Sequence, residues 1–172
     1  GIINDNDKSA MGYNASCPEV YYSFNLGLEW KGLGFNVAFQ GVGNYTAYLS
    51  TTSLYRPLVG NATISNYYYN NRWTPETPDA RFPRLTTEKV DNNLQTSSVW
   101  LADRSFLKLR NCEVYYKLPT SLLSKIRMRT GKVYVRGVDL LCFDKINITD
   151  PEAMGTVYPA TRSVHVGLAI GF

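Results

Sequence analysis

The stretch from Thr161 to Phe172 constrains the fold of this chain more than any other, because it alternates to its last residue. Phe172, Ile170, Leu168, Val166 and Val164 fall on one side, and Gly171, Ala169, Gly167, His165 and Ser163 on the other, the period-two pattern of a β-strand. One face is uniformly compatible with hydrocarbon while the other is small or polar. A soluble sheet can alternate too, but this division is the one expected of a transmembrane barrel strand, apolar toward lipid and polar toward the lumen.

A second stretch repeats the pattern as a hairpin. Phe24, Leu26, Leu28 and Trp30 share one face of a first arm, and Leu33, Phe35, Val37 and Phe39 share one face of a second. A tight turn at Lys31-Gly32 sets Trp30 opposite Leu33, Leu28 opposite Phe35, Leu26 opposite Val37 and Phe24 opposite Phe39. The other face then pairs Glu29 with Gly34, Gly27 with Asn36, Asn25 with Ala38 and Ser23 with Gln40, which suits a wet lumen better than a second packed sheet. Arms over Val20 to Trp30 and Leu33 to Gly43 match the length needed to cross a bilayer at barrel tilt. Tyr21, Tyr22 and Trp30 fall where interfacial aromatics sit.

Further strands are expected over Asp103 to Lys117, Ile126 to Leu141 and Thr161 to Phe172. In the first, Leu107 and Leu109 share a face, but beyond Asn111 the apolar phase moves to Cys112, Val114 and Tyr116, the slip a β-bulge produces. Thr120 to Lys125 reads as a short turn, with Thr120 or Ser121 as the cap of one helical turn. Between strands lie two long polar segments, Asn44 to Ser98 and Asp144 to Ala160. The first holds Tyr67, Tyr68, Tyr69 and Trp73 and has room for a short hairpin within Tyr45 to Leu58; such length without periodicity marks a functional loop.

Composition supports an all-β reading: 13 Tyr and 3 Trp accompany frequent Asn, Thr and Gly. The net charge of +4 is not gathered into a run, so no nucleic-acid partner is expected. No apolar run approaches the roughly 18 residues of a spanning helix, so contact with a membrane would be made by strands. Cys17, Cys112 and Cys142 lack CxxC spacing and suggest neither a disulfide framework nor a zinc site. His165, the single histidine, has no nearby ligand partner. Asn14, Asn44, Asn61 and Asn147 begin Asn-x-Ser/Thr sequons, the acceptor pattern of eukaryotic glycosylation, although Asn is so abundant that several are expected by chance. Gly1 to Asp7 looks like the second half of an acidic calcium loop, or simply an Asx-rich turn. No metal, cofactor or catalytic cluster is expected, and the chain is expected to begin inside something longer.

Ordered motifs carry a family resemblance. Trp73-Thr74-Pro75-Glu76, Ala80-Arg81-Phe82-Pro83-Arg84-Leu85, Trp100 to Asn111, Tyr116-Lys117-Leu118-Pro119, Asp139-Leu140-Leu141, Asp150-Pro151-Glu152 and Tyr158-Pro159-Ala160-Thr161-Arg162 resemble the C-terminal barrel portion of SusC-like (RagA-like) TonB-dependent transporters of Bacteroidetes. Asp139 stands where that family usually has Asn. The resemblance implies that residues 1–172 are the last part of a 22-stranded plugged barrel in the Gram-negative outer membrane, without its plug. It implies an importer of oligosaccharides or peptides, not an enzyme. The implied partners are a SusD-like surface lipoprotein, TonB through the missing N-terminal part, outer-membrane lipid and the remaining strands. Phe172, Ile170 and Leu168 would form the signal read by the barrel-assembly machinery. Tyr67, Tyr68, Tyr69 and Trp73 would contact ligand or lid, with packing of the loop on itself as the alternative.

On this reading Lys31-Gly32 and Thr120 to Lys125 lie on the periplasmic side and both long segments lie outside. Five strands also leave two open edges that other strands must complete. The competing class is a soluble or secreted β-sandwich that binds carbohydrate through Tyr and Trp, which would bury one face of every strand in a dry core.

Overall fold

The computed structural model describes residues 4–51, 58, 60, 62–88, 90–146, 148–155 and 157–172, with the side chain of residue 91 left aside. Asn61 and Asn147, and the start of the acidic stretch at Gly1, lie outside these residues. The chain divides into two compact units: Val20–Gly43, Phe106–Asp144 and Pro159–Phe172 form a sheet unit, and Gly1–Glu19, Asn44–Ser105 and Lys145–Tyr158 form a loop unit.

The sheet unit has five antiparallel strands: β1 (Val20–Trp30), β2 (Leu33–Gly43), β5 (Phe106–Lys117), β6 (Thr130–Asp144) and β7 (Ser163–Gly171), in the order β1-β2-β5-β6-β7. Two short strands of the loop unit, β3 (Thr46–Tyr48) and β4 (Leu101–Asp103), pair separately. Lys31 and Gly32 both take positive φ, 49° and 86°, the mirror-image turn whose twist suits a two-residue hairpin. The expected β1–β2 pairs are all present, from Trp30 opposite Leu33 to Phe24 opposite Phe39, whose rings stack with centroids 4.7 Å apart.

The expected bulge falls at Arg110. Leu109 pairs with Leu141 and Asn111 with Val138, so Arg110 on β5 and the Asp139-Leu140 step on β6 stand outside the ladder. Asp139 absorbs the offset at φ 50°. The slip restores the apolar phase on each side, so Leu107 and Leu109 share a face with Cys112, Val114 and Tyr116.

Several expected boundaries move. The strand expected from Asp103 starts at Phe106, because Leu101–Asp103 pairs with Thr46–Tyr48 and Asp103 turns to accept from the Ser105 amide at 2.9 Å. The strand expected over Ile126 to Leu141 instead covers Thr130–Asp144: Ser124–Ile126 is a 3-10 turn and Arg127 is left-handed, while the bulge lets the strand continue past Asp139. The helical turn Thr120–Leu123 is present, but Pro119 occupies its N-cap, so neither Thr120 nor Ser121 caps it. β3 finds its partner in β4, far along the chain, instead of within a local hairpin; residues 52–57 lie outside the described residues. Asp5–Asp7 forms a 3-10 turn closed by a capping box in which Asn4 accepts from Asn6 and Asp7 accepts from the Asn4 amide, which commits these side chains to the turn itself.

The loop unit is also more ordered than its sequence promises. Leu49, Tyr68, Phe82 and Trp100 form a buried cluster. Phe82 stacks on Tyr68 at 4.7 Å and on Trp100 at 5.8 Å, while Tyr67 meets it edge-on. The polar tips are satisfied: the Tyr68 hydroxyl donates to the Pro83 carbonyl and the Trp100 indole to the Asn93 carbonyl, both at 3.1 Å. Ser65 caps the short helix Asn66–Asn70 by accepting from the Tyr68 amide. Arg104 lies over the Tyr45 ring and donates to its hydroxyl and to the carbonyl of buried Pro151.

Candidate functional site: the polar face of the sheet

The two faces of the sheet differ in kind. Val20, Tyr22, Phe24, Leu26, Leu28 and Trp30 on β1 and Val164, Val166, Leu168 and Ile170 on β7 all stand exposed, with Trp30 at 71% and Val166 at 77%. No charged side chain falls on this face in any of the five strands. On these two edge strands the apolar residues are open instead of buried, the reverse of what a sandwich requires.

The opposite face is a set of rows running across the strands, since residues paired on successive ladders align. Asn25, Ala38, Asn111, Val138 and Ser163 form one row. Gly27, Asn36, Glu113, Arg136 and His165 form the next, and Glu29, Gly34, Tyr115, Tyr134 and Gly167 the one after. Tyrosine rings tile over glycines in that third row. A Cβ on Gly34 would lie 2.0 Å from Tyr115, and one on Gly167 would lie 2.3 Å from Tyr134, so both positions need glycine while the rings lie flat.

The charges on this face are tied to each other. Glu113 has only 7% of its side chain exposed and accepts from Lys132 at 2.9 Å and from Arg136 through two nitrogens. Lys132 also lies over the Tyr115 ring at 4.7 Å. Glu29 accepts from the Tyr115 hydroxyl at 2.7 Å and from Lys117 at 2.8 Å. At the bulge, Arg110 donates to the Asp139 carboxylate and to the side-chain amide oxygen of Gln40, each at 2.9 Å. His165 pairs with Ser163 at 2.9 Å. Charge-assisted bonds of this kind hold long side chains in one arrangement. Between them lies a depression of about 410 Å³ bordered by Asn25, Asn36, Asn111, Glu113 and Arg136 and floored by Gly27 and Ala38.

Sequence reading placed ligand contact elsewhere, on Tyr67, Tyr68, Tyr69 and Trp73, and the structure separates these four. Tyr68 is buried against Phe82, and burial pushes its hydroxyl up to about 12. Tyr67 packs on the same ring. Tyr69, under the Arg72 guanidinium, and Trp73 remain exposed. Trp73 borders a groove of about 440 Å³ with Arg81, Pro83, Arg84 and Val99. Nearby, the Glu76 carboxyl is held below its ordinary value by its own backbone amide, then by the Thr74 hydroxyl and the Arg72 charge. Phe172, the last residue, is 82% exposed, and Leu168 and Ile170 share the apolar face with it by parity. The rows of the polar face were missed because their members come from five strands; only the β1–β2 part could be paired in advance.

No family model matches the chain. Two curated relatives from Formosa agariphila do. A protein named TonB-dependent receptor P26 is 25% identical over 198 residues, covering all of this chain and 18% of that protein. One named TonB-dependent receptor P3 is 30% identical over 154 residues, covering 89% of this chain and 14% of that protein. This chain thus spans less than a fifth of the length of either relative. Among solved structures, the RagAB peptide importer in the open-open state superposes with a TM-score of 0.72 over 99% of this chain and 19% of that one, at 23% identity. The RagAB peptide transporter superposes with a TM-score of 0.63 over 87% of this chain and 17% of that one, at 25% identity. The resemblance to SusC-like TonB-dependent transporters carried by the sequence motifs therefore holds along the chain, and the antiparallel strands are of the barrel type.

Proposed function

We propose that this chain, similar throughout to TonB-dependent receptors, is the C-terminal barrel segment of an outer-membrane importer. The observation that carries the reading is the opposition of the two sheet faces, one apolar and exposed, the other charged and internally paired. Hydrocarbon on one side and water on the other stabilise that arrangement; water on both sides would not. Strands of 11 residues such as β1 reach roughly 36 Å, or about 27 Å along the membrane normal at barrel tilt, close to the height of an apolar barrel band. The edges β1 and β7 would pair with the remaining strands of the same barrel, because unpaired backbone groups are costly in lipid.

The protein would transport without covalent chemistry. A SusD-like surface lipoprotein would close the outer mouth over an oligosaccharide or peptide, and TonB would act through the part of the protein beyond this chain. Tyr69 and Trp73 would be the members of the aromatic group that contact ligand or lid, a reading their exposure supports; Tyr68 would act only by holding the loop unit together. Phe172, Ile170 and Leu168 would present the assembly signal.

The hairpin turn at Lys31 and the segment Thr120 to Lys125 would be periplasmic, with Asn44 to Ser98 and Asp144 to Ala160 outside. Gly43, Phe106 and Asp144 lie at one end of the sheet and Lys31 at the other, which supports this topology. The test is labelling of single cysteines on intact cells with a membrane-impermeant reagent. Thr77→Cys should label and Lys31→Cys should not; the reverse pattern contradicts the reading.

A further inference from the structure

Residues 118–129 join β5 to β6 at the turn end of the sheet, and the connection leans to one side. Gly131 stands on the apolar face, opposite Ile170 and two residues before Val133. A Cβ there would lie 2.8 Å from Leu123 and 3.0 Å from Leu118, so the connection folds back over the apolar face, and glycine lets it close. Leu123 is thereby buried, whereas Leu122 and Ile126 stand open at 48% and 53%, at the same end of the sheet as Trp30. Cations accompany them. Lys125, Arg127 and Arg129 alternate with Ile126 and Met128, and Lys31 lies over the Trp30 ring at 4.7 Å. All four cations are exposed, and none has a carboxylate partner among the described residues. Arg110, Lys117, Lys132 and Arg136 on the polar face, by contrast, are all paired. The sequence holds no Asp or Glu between Glu113 and Asp139, and Glu29, near the hairpin turn, is engaged by Tyr115 and Lys117 on the polar face.

We propose that this end of the apolar face docks on the headgroups of anionic phospholipid, with Leu122 and Ile126 among the first acyl carbons and Lys31, Lys125, Arg127 and Arg129 at the phosphates. The inference rests on the importer reading above and names the lipid chemistry that one end of its outer face selects. Further strands would join at β1 and β7 and the barrel interior lies on the other face, so completing the barrel leaves this surface toward the bilayer. Apolar side chains set beside unpaired cations match the two layers met there, hydrocarbon and phosphate. The long stems of Lys and Arg lie along apolar surface while their charged ends reach the phosphates, and the indole of Trp30 suits the same level. The headgroup is anionic by charge complementarity. A zwitterionic headgroup brings an ammonium with every phosphate, which four cations without a carboxylate among them repel.

The test uses the full-length protein, without other cysteines, carrying a fluorophore at Ser121→Cys or at Val166→Cys and reconstituted in phosphatidylcholine vesicles. Brominated phosphatidylglycerol or brominated phosphatidylcholine is added as the quencher. At Ser121→Cys the phosphatidylglycerol should associate about fivefold or more tightly than the phosphatidylcholine, the scale of one cation at an anionic surface. That preference should shrink as salt is raised, and it should vanish in the quadruple variant Lys31→Gln, Lys125→Gln, Arg127→Gln, Arg129→Gln. Equal quenching by the two lipids, or a preference that salt leaves unchanged in the parent, overturns the proposal without recourse to any charge variant. A preference that survives in the quadruple variant, while that variant fails to reach the outer membrane in cells, assigns the cations to the assembly machinery and overturns the lipid assignment. Val166→Cys separates the two readings. Quenching there by both lipids with no preference at Ser121→Cys sinks this inference alone, whereas quenching there by neither sinks the importer reading and this inference with it.

Discussion

Leu28 and Phe82 are both large apolar side chains, yet Leu28 is 62% exposed and Phe82 only 1%. The first belongs to a sheet that keeps its charges together on one face and leaves its apolar residues open on the other. The second is the centre of a loop unit that packs aromatic rings away from solvent in the manner of a soluble domain. The difference teaches that one chain follows one rule in two solvents. Apolar surface goes where water is absent, which for the loop unit is its own interior and, on the proposed reading, for the sheet would be a surrounding hydrocarbon phase.

The comparison can be broken most severely at Phe82. Phe82→Ala removes the ring on which Tyr67, Tyr68 and Trp100 pack and should cost the loop unit about 3–5 kcal/mol. Limited proteolysis of the full-length protein should then cut within Asn44–Ser105, while heat-modifiable migration of the barrel stays as before. Loss of both together would show that the two units do not respond separately.

A charge on the open face should do the converse. Val166→Arg is expected to cost about 2–4 kcal/mol if it sits near the bilayer midplane. His165→Arg, one residue away on the opposite face, should cost far less. Refolding yield into lipid vesicles for the two variants separates them, and equal losses would refute the assignment of faces.

On the polar face, Glu113→Gln should cost roughly 1–3 kcal/mol because Lys132 and Arg136 lose a shared, largely buried partner. Glu29→Gln, with 40% of the Glu29 side chain exposed, should cost less, because solvent screens the pair with Lys117. Thermal unfolding in one detergent ranks them, and the opposite order would argue against Glu113 as the centre of the network.

The smallest effect is a pH dependence confined to the loop unit. The Tyr68 hydroxyl is raised by burial from an ordinary value of 10 to about 12, so the folded unit retains a proton that the unfolded chain releases. Its contribution is therefore complete below pH 10 and falls as pH rises toward 12. At pH 11 the loss should be about 1 kcal/mol. Proteolytic sensitivity of the loop unit should rise over that interval, and Tyr68→Phe should remove the dependence.

How much of this was legible in the sequence depended on whether neighbours in space were also neighbours in pattern. The β1–β2 register could be read residue by residue, because both arms alternate without a break and Lys31-Gly32 fixes their phase. The bulge was readable from the slip between Leu109 and Cys112, although its centre at Arg110 and its partner Asp139 were not. The loop core was illegible: Leu49, Tyr68, Phe82 and Trp100 come from separate, non-periodic segments. For the same reason Tyr67, Tyr68 and Tyr69 read as one exposed group, whereas the short helix turns Tyr68 inward and Tyr69 outward. The depression bordered by Asn25, Asn36 and Asn111 was hidden differently. Asparagine is common throughout this chain, and only the strand order makes these three adjacent.

The central claim, that one face of the sheet meets lipid and the other does not, is tested most directly along β7. Single cysteines from Ser163 to Ile170, each carrying an environment-sensitive fluorophore, would be placed in the full-length protein and reconstituted with nitroxide-labelled lipid. The account predicts quenching with period two, strong at positions 164, 166, 168 and 170 and weak at 163, 165, 167 and 169. Uniform quenching, or none at the even positions, would contradict it.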